Sequence, residues 1–245
     1  MKTDVVYKIG VTADWGDFNE LRYSIRSVEQ NFKDLDKIYI VGHRPRWLQN
    51  IVHIDAKDPY RTNKDGNLIN KLIMASVHPD ISDKFINISD DQYMMNPVTT
   101  EDLQHPIIDN SHIQFIPGAK LNRWQSRLKR TVEVLKRNGF NHDCYEAHSP
   151  YLLDSKDFMS TLMQYDYGVD IGYCGNTLYF NTIRAKGRMK TNFDLVRINK
   201  PLELDVLKGK LGHSKFLNHT NKGLNDNLKK ILQEKFPNPS GYEIF

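Results

Sequence analysis

The first part of the chain alternates short apolar runs with segments whose apolar residues recur every three to four positions. Such runs predict buried strands, and such spacing predicts helices that pack against them. Leu21, Ile25 and Val28 give the first helical stripe, in a segment that begins near Asn19. Strands separated by helices in this way predict an α/β fold with a mostly parallel sheet and helices on both faces. The predicted strands are 5–12, 37–42, 51–55 and 84–88, and the predicted helices are 19–32 and 67–77.

The second part of the chain is less regular, but it carries the clearest helical pattern. Trp124, Leu128, Val132 and Leu135 form an apolar stripe, so we predict a helix over 121–138. A stretch rich in glycine and cations, 209–219, is typical of a mobile loop that closes over a ligand. Since 245 residues contain no repeat or linker, we expect a single domain. The other predicted elements are strands at 111–117 and 173–181 and helices at 155–164 and 222–235.

Two adjacent carboxylates, Asp90 and Asp91, follow the strand predicted at 84–88. Loops after parallel strands gather at one edge of an open α/β sheet, where ligands bind. Oxygen ligands at that edge suit a divalent cation that in turn holds phosphate oxygens. Alternatively, the two residues would simply form a turn, because aspartate is common in turns whether or not a ligand binds there. Spacing alone leaves both interpretations open.

The same edge of the sheet should collect the loop that follows the first strand. This loop lacks the glycine-rich fingerprint of dinucleotide-binding enzymes, so we do not expect a dehydrogenase. The candidate nucleotide contacts in it are Thr12, Asp14 and Trp15. Flexible cations on the nearby helices would reach phosphate oxygens if they face this edge, and would otherwise lie on solvated helix faces. These cations are Lys71, Arg22 and Arg26.

Composition narrows the function classes. Hydrophobic residues make up 39% of the chain, yet no apolar run approaches the roughly 20 residues that a membrane helix needs. The first residues also lack the apolar segment of a signal peptide, so we expect a cytoplasmic protein without a membrane partner. Cys144 and Cys174 are too few for a disulfide framework, and no Cys/His spacing matches a zinc site. A net charge of +4 does not by itself indicate a nucleic-acid partner.

The distribution of charge is more informative than its sum. Between positions 120 and 138 there are seven cationic side chains and one acid, Glu133. Such a face suits a polyanion, and phosphate contacts of this kind give sequence-independent DNA binding. The alternative is a surface helix whose charges stay solvated. The arginine face, at positions i, i+4, i+7 and i+14, consists of Arg123, Arg127, Arg130 and Arg137.

Several blocks, in the same order along the chain, resemble the Stealth family. The blocks are NELRYSIRSV (19–28), KIYIV (37–41), PRWL (45–48) and ISDDQYM (88–94), with FLN (216–218), ND (225–226) and FPNPSGYE (236–243) near the end. Stealth enzymes transfer sugar phosphates from nucleotide sugars, and their nucleotide-binding core is similar to the GT-A glycosyltransferase fold. The resemblance implies one GT-A-like domain over 1–245 with a Rossmann-like sheet. Its nucleotide-sugar-binding half would cover about 1–105 and its acceptor-binding half about 106–245.

The resemblance also favours the metal interpretation of Asp90 and Asp91. A nucleoside diphosphate sugar, for which we predict UDP as the nucleotide, would be the donor. Mn²⁺ or Mg²⁺ would act as a Lewis acid and neutralise charge on the leaving diphosphate. His213 or His219 would complete the metal shell, because imidazole accepts Mn²⁺ more readily than Mg²⁺. Asp226, in the last block, would approach the same centre.

A polar cluster at 142–151 resembles the His-and-Pro block in the middle of Stealth proteins. An attacking hydroxyl needs a proton acceptor, and Glu146 and His148 are the candidates, with Asp91 as the third catalytic residue. Structural roles for Glu146, paired with an arginine, and for His148, hydrogen-bonded, are the alternative. The first loop departs from the family pattern, since its opening segment appears here only as GVTADWGD (10–17), and it would hold the donor differently.

The predicted function is metal-assisted transfer of a sugar from a nucleoside diphosphate sugar to a hydroxyl acceptor. Bacteriophages with hydroxymethylated bases encode small nucleotide-sugar-dependent DNA glycosyltransferases, and this chain is similar to them in size and in its basic helix. We therefore expect double-stranded phage DNA with a hydroxymethylated base as the acceptor, in the cytoplasm of a bacterial host. Two alternatives stay open. One is a Stealth-type sugar-phosphate transferase for surface or capsular polysaccharide, and the other is a catalytically inactive DNA-binding or interaction module.

Overall fold

A mixed α/β fold is seen in the computed structural model of the chain, which describes residues 2–115 and 118–244. The strands are β1 (Thr3–Ile9), β2 (Leu35–Gly42), β3 (Val52–Ile54), β4 (Lys84–Ile88), β5 (Gln92–Met94), β6 (Ile107–Ile108), β7 (Tyr151–Asp154), β8 (Arg188–Met189), β9 (Leu195–Ile198) and β10 (Phe216–His219). The α-helices are α1 (Asn19–Asn31), α2 (Lys64–Ser76), α3 (Arg123–Arg137), α4 (Ser155–Leu162), α5 (Gly175–Thr182), α6 (Leu204–Leu211) and α7 (Asp226–Lys235). Short 3-10 helices lie at Glu101–Leu103 and Asn110–His112.

The central sheet has the strand order β3-β2-β1-β4-β7. Strands β3, β2, β1 and β4 run parallel, and β7 joins β4 in the antiparallel direction. β1 lies in the middle, where Tyr7 pairs with Ile40 on one side and with Ile88 on the other. The predicted α/β fold with a mostly parallel sheet is therefore confirmed. Because β7 comes from the second half of the chain, the sheet is built from both halves.

Helices cover both faces of this sheet. Leu21, Ile25 and Val28 of α1 are fully buried against one face, as their spacing predicts. The other face carries α2, α4 and α5, whose apolar residues, such as Leu72 and Phe158, belong to a second buried cluster. Burial of each such side chain stabilises the folded chain by about 1.5–3 kcal/mol. The stripe of α1 is thus the direct link between sequence spacing and the first layer of the core.

A smaller sheet, with the order β5-β10-β9, packs against α6 and α7. β5 begins directly after the Asp90–Asp91 turn, and β10 runs antiparallel to it. In this register Asn218 pairs with Gln92, so the end of β10 lies next to the start of β5. The small sheet therefore brings residues from position 218 onward to the carboxyl end of β4.

Three predicted segments are wrong. The stretch 173–181, predicted as a strand, contains helix α5, whose Leu178, Tyr179 and Phe180 are all buried. A short helix buried on several sides has no polar face, so its period cannot be read from the sequence. The loop predicted at 209–219 is occupied largely by the end of α6 and by strand β10.

The third error is the strand predicted at 111–117. Residues 110–112 form a 3-10 helix, and 113–115 have no regular structure. Ile116 and Pro117 lie outside the described residues. Among the helices of the described ranges, none is long and apolar enough to cross a membrane.

Candidate active site

Asp91 and His148 form the centre of the candidate site. Asp90 and Asp91 make the turn between β4 and β5, at the carboxyl end of a central strand. His148 Nε2 lies 2.8 Å from Asp91 Oδ2. The other oxygen, Asp91 Oδ1, is buried and has no hydrogen-bond partner within residues 2–115 and 118–244. A buried oxygen without a hydrogen-bond partner lowers the stability of the folded chain by about 1–3 kcal/mol. This atom therefore does not stabilise the fold and is suited to binding a ligand.

The two carboxylates differ in acidity. Burial raises the pKa of Asp90 above its ordinary value, and the negative charge of Asp91 adds to the effect. Burial acts in the same direction on Asp91, but the hydrogen bond and the charge of His148 outweigh it and lower the pKa of Asp91. Asp91 is therefore the more readily ionised member of the pair and the better ligand for a cation.

The backbone of His148 is strained at the same place. Its φ angle is +59°, in the left-handed region that few non-glycine residues adopt. The carbonyl oxygen of His148 accepts a hydrogen bond from Asn218 Nδ2 at 2.6 Å. Asn218 Oδ1 is also buried without a partner in the described part of the chain. Strain of this kind collects at functional sites, and here it coincides with two unpaired oxygens, on Asp91 and Asn218.

Glu20 is a buried carboxylate beside this centre and is not among the predicted site residues. It lies in the first turn of α1, where Oε2 accepts the N–H groups of Asp14 and Trp15 at 3.2 Å each. Its Oε1 lies 3.8 Å from His219 Nε2, which is 3.0 Å from the hydroxyl of Tyr93. Burial raises the pKa of Glu20 to about 7. The available sequence signal was an acid in the first helical turn directly after a candidate ligand loop.

Of the two histidines predicted as metal ligands, His219 is the one near Asp91. His219 is buried, and burial lowers its pKa while the negative charge of Asp91 opposes that change. His213 is exposed and lines a separate cavity. The difference follows from β10, because His219 is its last residue and His213 precedes it by several positions.

A cleft of about 440 Å³ opens beside the centre, a volume suited to a small polar ligand. Lys8 of β1 lines it, and its Nζ donates to the carbonyl oxygen of Ile88 at 2.8 Å and to the side chain of Asn87. Burial lowers the pKa of Lys8 to about 8, although the two aspartates oppose this. Lys8 is not among the predicted site residues, because it lies within an apolar strand. Other residues that line the cleft are Ser89, Gln92, Glu146, His148, Asn176 and Arg197.

Glu146 reaches the cleft from the segment before β7. Its Oε1 accepts the N–H of Thr177 at 3.0 Å, near the start of α5. Burial raises the pKa of Glu146, and the Thr177 hydrogen bond acts against that rise. A carboxylate with a raised pKa that faces a cleft is able to accept a proton from a bound hydroxyl.

Arg22 and Arg26, predicted as phosphate partners, do not line the cleft. Arg22 Nη1 and Arg26 Nε each lie 2.7 Å from a carboxylate oxygen of Glu243, whose side chain is 1% exposed. Burial alone would raise the pKa of Glu243, but the hydrogen bond from Arg26 and further bonds hold it at about 2. The two arginines therefore bind the end of the chain to α1.

Lys71, Asp226 and Thr12 make no hydrogen bond or ion pair with Asp91 in the described structure. Lys71 is buried, and its Nζ lies 2.7 Å from Asp58 and 3.1 Å from the carbonyl oxygen of Ile9. It thereby links α2 to the end of β1. The other two residues are exposed: Asp226 lies at the start of α7, and Thr12 lies in the loop after β1. Trp15, from the same loop, stacks on Tyr23 with ring centroids 5.0 Å apart.

The arginine face of α3 is largely used within the chain. Arg127 is 5% exposed and forms an ion pair with Asp65 as well as a hydrogen bond to the carbonyl oxygen of Ile171. Arg137, at the end of the helix, is exposed. The remaining contacts are Arg123 with Asp170 at 2.9 Å and Arg130 over the ring of Tyr173 at 4.8 Å. Within this stripe Arg127 is therefore held inside the fold, whereas Arg123 and Arg137 are exposed.

Within residues 2–115 and 118–244, no three His, Cys, Asp or Glu side chains are grouped as a ready metal site. The donor atoms at the centre nevertheless fit a hard cation, which prefers carboxylate and amide oxygens. Asp91 Oδ1 and Asn218 Oδ1 are buried and have no hydrogen-bond partner in the described part of the chain, and Asp90 is adjacent to Asp91 in sequence. Asp90, Asp91 and Asn218 are thus the residues that suit such an ion.

Comparison with known proteins gives matches at the level of structure. No protein-family model matches the sequence, and no curated protein matches it significantly. An active-site mutant of LgtC gives a TM-score of 0.55 at 12% identity, over 98% of each chain. The galactosyltransferase LgtC in complex with donor and acceptor sugar analogues gives 0.50 at 12% identity, again over 98% of each chain.

A longer glycosyltransferase also matches. For the apo form of GlyE from Streptococcus pneumoniae TIGR4 the TM-score is 0.48 at 12% identity, and 96% of this chain covers 60% of GlyE. The chain thus spans about 60% of the length of GlyE. The matched structures are themselves glycosyltransferases. The two LgtC matches, which cover nearly all of both chains, show that this chain has the mixed α/β fold of the GT-A glycosyltransferases.

Proposed function

We propose that the chain is a metal-assisted glycosyltransferase that moves a sugar from a nucleoside diphosphate sugar to a hydroxyl acceptor. The observation that carries this proposal is a pair of buried oxygens, on Asp91 and Asn218, that have no hydrogen-bond partner among the described residues and lie next to the strained His148. They lie at the carboxyl end of β4, and His148 also lines the cleft of about 440 Å³. A site with this chemistry suits a cation and a phosphate-bearing ligand.

The donor side of the site would be formed by the aspartate turn and the first loop. Asp90, Asp91 and Asn218 would hold the divalent ion, with His219 beside them. When bound, the ion would act as a Lewis acid toward the leaving diphosphate. Glu20 fixes the backbone of Asp14 in the first loop, which supports a role for that loop in binding the nucleoside.

Glu146 is the proposed proton acceptor in the transfer step. The acceptor oxygen would bond to the anomeric carbon, its proton would pass to the carboxylate of Glu146, and the bond from that carbon to the diphosphate would break. The nucleoside diphosphate then leaves. Glu146 suits this role because burial raises its pKa, and because the hydrogen bond from Thr177 fixes the orientation of its carboxylate.

A hydroxymethylated base in phage DNA remains one proposed acceptor, but the contacts of α3 weaken its support. Nonspecific duplex binding uses several phosphate contacts from free cations. Arg123, Arg127 and Arg130 already have partners within the chain. A saccharide hydroxyl is therefore the acceptor that we favour, and duplex DNA serves as a competing acceptor in the test.

The test is a transfer assay with several nucleotide sugars and Mn²⁺, followed by mass spectrometry of saccharide acceptors and of hydroxymethylated duplex DNA. We expect the unmodified protein to transfer a sugar, and we expect the Asp91→Asn and Glu146→Gln variants to lose this activity. A product heavier by one additional phosphate would indicate sugar-phosphate transfer of the Stealth type. If no donor is bound, hydrolysed or used for transfer, the chain is an inactive binding module and the proposal fails.

A further inference from the structure

A second cavity, of about 690 Å³, lies next to the cleft and has a different chemistry. Arg197 and His112 line both of them, so the two spaces meet at these side chains. Arg197 is the exposed residue of β9, whose other residues are buried. A ligand in the second cavity would therefore extend toward Glu146 and His148, which line the first.

The second cavity carries excess positive charge. Its cationic side chains are those of Lys190, Arg197 and Lys210, and its one acid is Asp109. Asp109 is already paired, because its Oδ2 lies 2.9 Å from Lys190 Nζ. Neither Arg197 nor Lys210 has an ion-pair partner among the described residues. The cavity therefore has two uncompensated cations and no uncompensated carboxylate.

The remaining lining suits a sugar ring better than a duplex. Phe193 is 72% exposed, and an exposed aromatic ring offers a flat apolar surface to a pyranose. Asn192 and Asn199 add amide groups that both donate and accept hydrogen bonds. A concave site of this volume is of the size that encloses small ligands, whereas a duplex needs a broad charged face.

We propose that this second cavity binds the acceptor as an acidic saccharide, with Arg197 and Lys210 holding its carboxylate or phosphate group and Phe193 supporting a sugar ring. The proposal rests on the proposed function, since it names the acceptor class of the same transfer. An anionic group bound at Arg197 would direct a neighbouring hydroxyl into the cleft, toward Glu146. Charge-assisted hydrogen bonds of this kind are about twice as strong as neutral ones, so the anionic group would determine acceptor choice.

The first experiment measures binding without turnover. The probes are a glucuronic-acid disaccharide, a hexose 6-phosphate glycoside and an uncharged lactoside, each titrated calorimetrically into the protein with UDP and Mn²⁺ present. We expect one of the two acidic probes to bind, and the better of the two identifies the anionic group. The Arg197→Gln/Lys210→Gln variant should bind it about tenfold or more weakly, as the loss of two charged hydrogen bonds implies. Lys208→Gln is the matched control, because Lys208 is exposed on α6, the helix that carries Lys210, but does not line the cavity.

Several outcomes would overturn the proposal. These are equal binding of the lactoside and the acidic probes, binding of none of them, or unchanged affinity in the double variant. Tighter, Arg197-dependent binding of duplex DNA would assign the cavity to a different acceptor. The proposed function has a separate readout, the hydrolysis of the donor in the absence of any acceptor, which is measured in the unmodified protein. Acid-selective binding without any use of a donor would therefore contradict the transferase function alone.

Discussion

His148 Nε2 lies 2.8 Å from Asp91 Oδ2 and joins two segments that are 57 residues apart in sequence. The contact connects the turn after β4 with the segment that enters β7, two strands that are neighbours in the central sheet. His148 has a left-handed backbone, and its side chain and its carbonyl oxygen contact different partners, Asp91 and Asn218. One strained residue thus fixes the orientation of both oxygen donors that we assign to the cation.

Replacement of Asp91 by asparagine should remove the charge that the site needs. We expect Asp91→Asn to lower the rate of transfer by about 100-fold or more, a loss typical of groups that stabilise developing charge. The fold should be retained, because asparagine has the same shape and its oxygen can still accept from His148. Transfer rates and circular dichroism of the two proteins check this. The control is Asp83→Asn, an exposed aspartate at the other end of β4, and an equal loss of activity in that variant would contradict the assignment.

Binding of a divalent ion should stabilise the folded chain. At 100 times its dissociation constant a ligand adds about 2.7 kcal/mol to the free energy of unfolding. For a chain of this length that corresponds to a rise in Tm of roughly 5–10 °C. Thermal unfolding with increasing Mn²⁺ measures the shift, which should be absent in Asp91→Asn and unchanged in Asp83→Asn. A shift that survives in Asp91→Asn would place the ion elsewhere.

The salt bridges of Glu243 should make the stability depend on acid pH. Its pKa falls from 4.5 in the unfolded chain to about 2 in the folded chain. The unfolded state therefore binds more protons between these values, and the stabilisation is full above pH 4.5 and lost as pH falls through about 2. At about 1.4 kcal/mol per pKa unit, the carboxylate contributes up to about 3 kcal/mol at pH 7.

The measurement for Glu243 is urea unfolding of the wild type and of Glu243→Gln at pH 7 and pH 3. We expect the variant to be less stable at pH 7, with a clearly smaller deficit at pH 3. Glu234→Gln is the control, since the Glu234 side chain is 50% exposed and its lysine partners are 3.9–4.0 Å away. A deficit of Glu243→Gln that is the same at both pH values would show that folding does not lower the pKa of Glu243.

Much of the fold could be predicted because its main helices have regular stripes. Leu21, Ile25 and Val28 determine the buried face of α1, and the stripe that begins at Trp124 predicts α3 to within two residues at its start. The same rule failed at 173–181, where Leu178 and Phe180 are buried on different sides of one short helix. Periodicity identifies an element only when one of its faces meets water.

The candidate site was harder to predict than the fold, because its residues owe their roles to distant partners. The turn at Asp91 was predicted from its position after a strand, and the structure adds the contact with His148. Glu20 was missed, since its importance lies in contacts with the first loop that sequence spacing cannot show. For the arginines of α3 the spacing is real, but spacing alone could not show that Arg127 pairs with Asp65 on a distant segment.

Arg127 should therefore contribute to stability and not to acceptor binding. Arg127→Lys keeps the charge but loses the planar group that serves Asp65 and the carbonyl oxygen of Ile171 together, so we expect the free energy of unfolding to fall by about 1–3 kcal/mol. Arg137 is exposed at the end of the same helix, so Arg137→Lys should change the free energy of unfolding by no more than about 0.5 kcal/mol. Urea unfolding and titration with duplex DNA test both variants. Equal stability of the two, together with weaker DNA binding by Arg127→Gln and Arg137→Gln, which remove the charge, would restore the arginine face as a nucleic-acid surface, because free arginines act through phosphate contacts and buried ones through the fold.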